Sequence, residues 1–187
     1  TGKAPIGKID LMTNPTTPMP VVLIGGGGHA LVVADAIGQG AILVGFFDDD
    51  PEARLGPAAR VPRLGGLAEI PRPLEPWFML ALGDLALRRR VLGSLAQARS
   101  FAITHRTAFV SANANIGHGV FVGPNATIHT FAKVAHHAII NSGAIIEHEC
   151  HIGENAHIAP GAALGGNVTI GPDTLVGIGA RIIPGIR

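Results

Sequence analysis

Apolar side chains recur at every sixth position through the second half of the chain without a miss: Val110, Ile116, Val122, Ile128, Val134, Ile140, Ile146, Ile152, Ile158, Leu164, Ile170, Val176 and Ile182. Two residues before each stands a small or modest side chain, beginning Ala108, Ala114, Val120 and ending Val168, Thr174, Ala180, with Cys150 among the alanines between. Positions two apart share a face of an extended strand, so both sets point the same way. A helix would repeat near 3.6 and a hairpin sheet at two with uneven turns; neither yields a strict six. Short parallel strands wound as a three-sided coil do, with one hexad per side and a little over four turns. Glycines follow the apolar position at Gly117, Gly123, Gly153, Gly171 and Gly177, where the turns between strands are expected to need conformational freedom.

Upstream the pattern is that of an α/β unit. Val21 to Ile24 is a short buried-type strand, followed by Gly25-Gly26-Gly27-Gly28-His29-Ala30. A helix is expected through Leu31, Val33, Ala34 and Ile37 with Leu31, Val33 and Ile37 facing the core, then a strand from Ile42 to Phe47 that ends on Asp48-Asp49-Asp50. A further strand, Phe78 to Leu82, ends in Gly83-Asp84 and precedes a helix from Arg88 to Arg99, while the proline-rich stretch from Leu64 to Pro76 is expected to be a surface connection. Strand, glycine loop, helix, strand and acid make half of a Rossmann-like unit: glycines let backbone approach a pyrophosphate at a helix N-terminus, and the acid meets ribose or base. The other reading of the loop is that its glycines merely pack helix on strand. The chain thus divides into a leader or extension over 1–20, a Rossmann-like domain over 21–106, and a coil over 107–187. The repeat is still running at Arg187, so either a partner subunit covers that end or the repeat continues beyond it; the second is preferred.

Composition narrows the ligand class. Twenty-six glycines against seven phenylalanines and one tryptophan suit a narrow coil whose walls approach closely. A net charge of +1 offers no footprint for nucleic acid or an anionic membrane, and the one basic cluster, Arg88-Arg89-Arg90, is expected on the solvated face of its helix. The lone Cys150 can form no internal disulfide and occupies an inward small-residue position, so it is read as core; a cytoplasmic location follows. No apolar run approaches the roughly 18 residues of a membrane span.

The motifs GGGGHA, FFDDD, ALGD and Asn141-Ser142-Gly143-Ala144-Ile145-Ile146-Glu147-His148-Glu149-Cys150, with His157-Ile158-Ala159-Pro160-Gly161-Ala162 after them, resemble the hexapeptide-repeat sugar acetyltransferases of bacterial surface-glycan synthesis. That family includes the acetyltransferases of the bacillosamine, perosamine and sialic-acid pathways, and the resemblance covers 21–187. It implies a left-handed parallel β-helix, acetyl-CoA as co-substrate, a nucleotide-linked amino sugar as acceptor, no metal, and a homotrimer with its active site between subunits. It further implies His148 as general base and Glu149 as the carboxylate that raises its basicity. His157 and Ile178 match acetyl-CoA contacts, at the thioester and along the pantetheine. Gly27, Gly28, His29, Asp48, Asp49 and Gly83 match positions that hold the nucleotide sugar, and Asn141 and Gly166 line the acceptor site. Leu85 stands where the family usually has asparagine, a departure that bears on base identity and on amine versus hydroxyl acceptors.

The residues support this chemistry independently. A protonated amine is no nucleophile toward a thioester, so a base that titrates near neutrality must accept a proton as the bond forms, and histidine meets that requirement. One turn of coil above and below His148 lie Gly166 and Thr130, small neighbours that leave the imidazole facing an open slot. His118 and His136 stack in another column, with Glu154 one turn on, while His105, His129, His137 and His151 are expected at the surface. Three other readings remain: a sugar O-acetyltransferase, a non-catalytic nucleotide-sugar-binding trimer, and a carbonic-anhydrase-like zinc site. The zinc site lacks that family's pair of histidines five residues apart.

Overall fold

The computed structural model describes residues 18–38, 40–56 and 59–187, so most of the expected leader lies outside the described residues. β1 (Met19–Ile24), β2 (Ala41–Phe47), β3 (Arg63–Gly65) and β4 (Trp77–Leu80) form a parallel sheet in the order β3-β2-β1-β4. β3, and the 3-10 turn Leu67–Glu69 after it, correct the expectation of a plain connection over this stretch; three residues ending in glycine are too short to show a period. α1 (Gly28–Asp35) buries Ala30 and Val33, whereas Leu31 is 41% exposed, so the expected core face was out of phase at that residue. α2 spans Leu85–Ser94, starting and stopping earlier than expected. Asp84 sets its start by accepting the Leu87 N–H at 2.6 Å, an N-cap that satisfies one of the first-turn donors.

The rest of the described chain consists of fourteen two-residue strands, β5 to β18, at Ile103–Thr104, Phe109–Val110, Asn115–Ile116, Phe121–Val122, Thr127–Ile128, Lys133–Val134, Ile139–Ile140, Ile145–Ile146, His151–Ile152, His157–Ile158, Ala163–Leu164, Thr169–Ile170, Leu175–Val176 and Arg181–Ile182. Each pairs in parallel with the third strand on, as Ile139 with His157 and Ile145 with Ala163, an offset of eighteen residues. Three walls result: β5-β8-β11-β14-β17, β6-β9-β12-β15-β18 and β7-β10-β13-β16. The inward column runs as the period demands, from Val120 and Val122 through Cys150 and Ile152 to Val168 and Ile170, in one continuous core. The pairing begins one hexad earlier than the apolar series, because Thr104 holds the register position without being apolar.

The turns correct the reading of the glycines. A positive φ falls at every sixth residue from Gly119 to Gly185, including Asn125, Phe131, His137, Glu149, Asn155, Asn167 and Asp173, and not at Gly171 or Gly177, nor at Gly117, Gly123 or Gly153. Those three are required for another reason: a Cβ on them would lie 2.7, 2.8 and 2.4 Å from the backbone nitrogen of His136, Ser142 and Pro172 on the next turn. Close stacking of the turns selects them, while left-handed backbone is borne partly by side-chain residues, at roughly 1–2 kcal/mol each.

The N-terminal sheet and α1 sit on the first wall. Its outward-facing Phe121 and Ile139 are fully buried in one cluster with Val21, Leu23, Ala30 and Val33. Outward residues of the second and third walls, such as Phe109, Ile145, Lys133 and His151, stay exposed.

Candidate functional site

The glycine loop contains two kinds of glycine. A Cβ on Gly25, at φ +116, would lie 2.8 Å from the Ala81 carbonyl oxygen, and one on Gly26 would lie 2.6 Å from the Phe46 ring, so both are demanded by packing. Around Gly27 and Gly28 a Cβ would meet nothing within 4 Å, nor would it at Gly83 across the sheet end. Packing therefore explains the first pair only. Asp48 braces the loop: one carboxylate oxygen accepts the Gly26 N–H at 2.6 Å and the other the Asp50 N–H at 2.8 Å. Asp49 is exposed and spends one oxygen on the Leu67 N–H at 2.8 Å.

Where α1 meets the coil, His29 lies edge-on to Phe121, with centroids 5.3 Å apart, and 6.3 Å from the ring of His157. The Nε2 of His29 is buried and has no hydrogen-bond partner among the described residues. His157 Nε2 lies 3.1 Å from the Asn141 side-chain nitrogen. The Ser142 N–H can only donate, and it donates to Asn141 Oδ1 at 2.8 Å, which turns the amide NH2 toward His157. His157 Nε2 is thereby the acceptor, and a neutral ring carries its proton on Nδ1. Burial first, and then the charge of Arg88, bring both His29 and His157 down to about 4.

These two rings and His137, also brought to about 4 chiefly by burial, make the fold acid-sensitive. Their folded values lie below the unfolded 6.5, so the unfolded chain binds more protons between the two and stability falls as pH drops through that window. Unfolding free energies from urea titrations should be constant above pH 7 and fall steadily from about pH 6.5 to 4, by an amount on the order of a few kcal/mol, with His157 contributing least because solvent reaches it.

The third group sits elsewhere on the coil. His148 and Glu149 occupy the edge between the second and third walls; Glu149, at φ 60, turns its carboxylate back so that Oε2 lies 3.0 Å from His148 Nδ1. Both side chains are more than half exposed, at 55% and 60%. The imidazole lies on Gly166, where a Cβ would be 2.5 Å from Cε1 and 2.6 Å from Nε2. Thr130 accepts the Glu149 N–H on the other side. A second carboxylate and imidazole, Glu147 and His129, stand 3.8 Å apart on the same edge. In a three-sided coil this edge is opposite the first wall, which carries His157. One chain thus unites His29, Asn141 and His157, and separately His148, Glu149 and Gly166. Ile178 is 82% exposed at the edge that also carries Asn141.

Two sequence expectations fail at the interface. Arg88 is fully buried, not solvated, and donates to Asn155 Oδ1 at 2.7 Å and to the Leu80 and Leu82 carbonyls at 2.9 and 3.0 Å. His137 is not a surface residue: its ring stacks on Phe78 and its Nδ1 is buried with no hydrogen-bond partner among the described residues. Arg89 reaches the coil instead through Glu154 and Asp173, at 2.6 and 2.9 Å. His118 and His136 do stack, 5.3 Å apart and within 5° of parallel. Cys150 is buried, its thiol 3.2 Å from the Gly165 carbonyl oxygen. Among the described residues no three His, Cys, Asp or Glu side chains gather as a metal site, and no helix is long and apolar enough to cross a membrane.

Residues 20–95 match the PglD N-terminal domain. No curated protein matches the chain. A mutant of perosamine N-acetyltransferase from Caulobacter crescentus, in complex with CoA and GDP-perosamine, is 34% identical with a TM-score of 0.81, over 88% of this chain and 80% of that one. The acetyltransferase domain of PglB from Neisseria gonorrhoeae FA1090, in complex with acetyl coenzyme A, is 25% identical with a TM-score of 0.71, over 90% and 95%. WeeI from Acinetobacter baumannii AYE, at 20% identity and a TM-score of 0.67 over 89% and 90%, shares the fold.

Proposed function

Because this chain belongs to the hexapeptide-repeat sugar acetyltransferases, we propose that it moves the acetyl group of acetyl-CoA onto the amine of a nucleotide-linked amino sugar, with His148 as general base. The observation that carries this reading is the His148 and Glu149 pair. A carboxylate can only accept, so it fixes the proton on Nδ1 and leaves the Nε2 lone pair, beside Gly166, as the base. The amine nitrogen attacks the thioester carbon, its proton passes to Nε2, the carbon–sulfur bond breaks, and the CoA thiolate leaves and takes a proton. Glu149 stabilises the imidazolium that forms. The neutral His157, with its proton on Nδ1, is suited to donate to the thioester oxygen as negative charge develops there.

The division of labour follows the same lines. The N-terminal unit, about 21–106, holds the nucleotide sugar at Gly27, Gly28, His29, Asp49 and Gly83, with Asp48 acting through the loop it braces. The coil, from about 107, winds left-handed and holds acetyl-CoA at His157 and Ile178, with Asn141 and Gly166 lining the acceptor site. His148 lies on the edge opposite the wall of His157, so a complete site draws on two chains, which supports a homotrimer.

Thiol release from acetyl-CoA, measured with UDP- and GDP-linked 4-amino-4,6-dideoxy sugars, tests the proposal. Release with an amino sugar and none with its 4-hydroxy counterpart is expected; release with the hydroxyl sugar alone would make it an O-acetyltransferase, and none with any would leave a binding protein. Asp49→Ala should raise KM for the nucleotide sugar about tenfold, the loss of one charge-assisted hydrogen bond, with KM for acetyl-CoA unchanged. Equal rises in both would refute the division.

A further inference from the structure

We propose that Arg88 is a positioning residue for this transfer, holding the loop at the nucleotide-sugar end of the sheet in fixed register with the coil that carries His157; the inference rests on the acceptor reading above. Its guanidinium is fully buried and reaches two bodies at once. On the sheet side it takes the carbonyls of Leu80 and Leu82, the last residues before Gly83. On the coil side it takes Asn155 Oδ1 and the His137 carbonyl, at successive turns of one edge. Asn155 completes the joint by donating to the Leu85 carbonyl at 3.2 Å and to Asp173 at 2.7 Å. Only a planar fork spans these acceptors; an ammonium on a flexible stem cannot hold both sides.

Stability alone does not account for this arginine. Every group that accepts from Arg88 is neutral, and a buried cation without a carboxylate costs more desolvation than it recovers in attraction. The surface pairs of Arg89 already join helix to coil. What Arg88 adds is rigidity and an uncompensated positive charge beside the imidazoles. His157 is faced by Arg88 from α2, by His29 from α1 and by Asn141 from its own edge; His29 is faced by Arg88 and His157. His137 is faced by Arg88, His136, His118 and Glu154. The charge opposes a second proton on each ring, which preserves the donor and acceptor assignment that the Asn141 bond requires.

Arg88→Met and Arg88→Lys, compared by NMR titration of the imidazoles, hydrogen exchange and steady-state kinetics, test the proposal. In Arg88→Met, His29 and His157 should titrate at higher pH, the Gly83 and Asp84 amides should exchange faster, and KM for the nucleotide sugar should rise about tenfold or more, the loss of charge-assisted bonds, with KM for acetyl-CoA held. Arg88→Lys should keep the titration of both rings and still raise that KM, since it restores charge without the fork. Should Arg88→Met fail to fold, Asn155→Gly, which suits the left-handed backbone at that turn, removes one of the two coil-side acceptors and should raise the same KM and the same exchange rates. Unchanged titration, exchange and KM in the folded variants, or a fall in kcat alone that follows the folded fraction, would overturn it. Titration and exchange need no turnover, so they decide the role of Arg88 even if no nucleotide sugar is acetylated.

Discussion

Replacing His148 by alanine is expected to lower turnover about 100-fold or more, the contribution of a lost general base, and to leave the thermal midpoint within the scatter of repeated scans. The ring is more than half exposed and fills no cavity, since the inward column beneath it is Ala144, Ile146 and Cys150. The Glu149 carboxylate, exposed at the same edge, remains hydrated in the variant, so no buried charge is orphaned. Single-turnover rates with saturating ligands isolate the chemical step. A variant with near-normal rate would remove His148 from the reaction and direct attention to the neighbouring Glu147 and His129.

A methyl group at Gly166 should be nearly as damaging, because it presses on the imidazole that serves as the base. The added carbon would lie 2.5 Å from the imidazole Cε1 and 2.6 Å from Nε2, and what must move is the free end of a surface side chain, not backbone. The fold should therefore absorb Gly166→Ala with a loss of about 1 kcal/mol or less, while the ring rotates off its seat and breaks the 3.0 Å contact with Glu149. The expected result is a fall in kcat of about 10- to 100-fold with KM for acetyl-CoA near that of the parent. Gly153→Ala is the contrast: its methyl would press on the Pro172 backbone nitrogen at 2.4 Å, so it should lower stability and not catalysis. If Gly166→Ala keeps full kcat, the imidazole does not work from the position seen here.

Much of this architecture is legible in the chain because each feature is local. A six-residue period reports on one strand and its turn, and translation by eighteen then stacks like on like, so the core column, the place of Cys150 and the seating of His148 between Gly166 and Thr130 all follow from counting. Other features had a signal that was not used. Arg88 lies at helical spacing with Val91, Leu92 and Leu95, which places it on the apolar face of α2. His137 has Gly119 eighteen residues before it, as His148 has Gly166 eighteen after, and in both pairs the ring rests where a Cβ is missing.

What the sequence determined by itself is thus the repeat, the three-sided coil, the glycine loop and acid of the first unit, and the candidate base with its carboxylate, because these depend on neighbours at fixed offsets. Only the tertiary structure decided which wall the N-terminal unit covers, that His29 meets His157 there, and that Arg88 bonds to sheet and coil together. The reason is physical: the outward face of a short strand carries no period of its own, and whether Phe121 and Ile139 are covered while Phe109 and Ile145 are not depends on the docking of a surface distant in the chain.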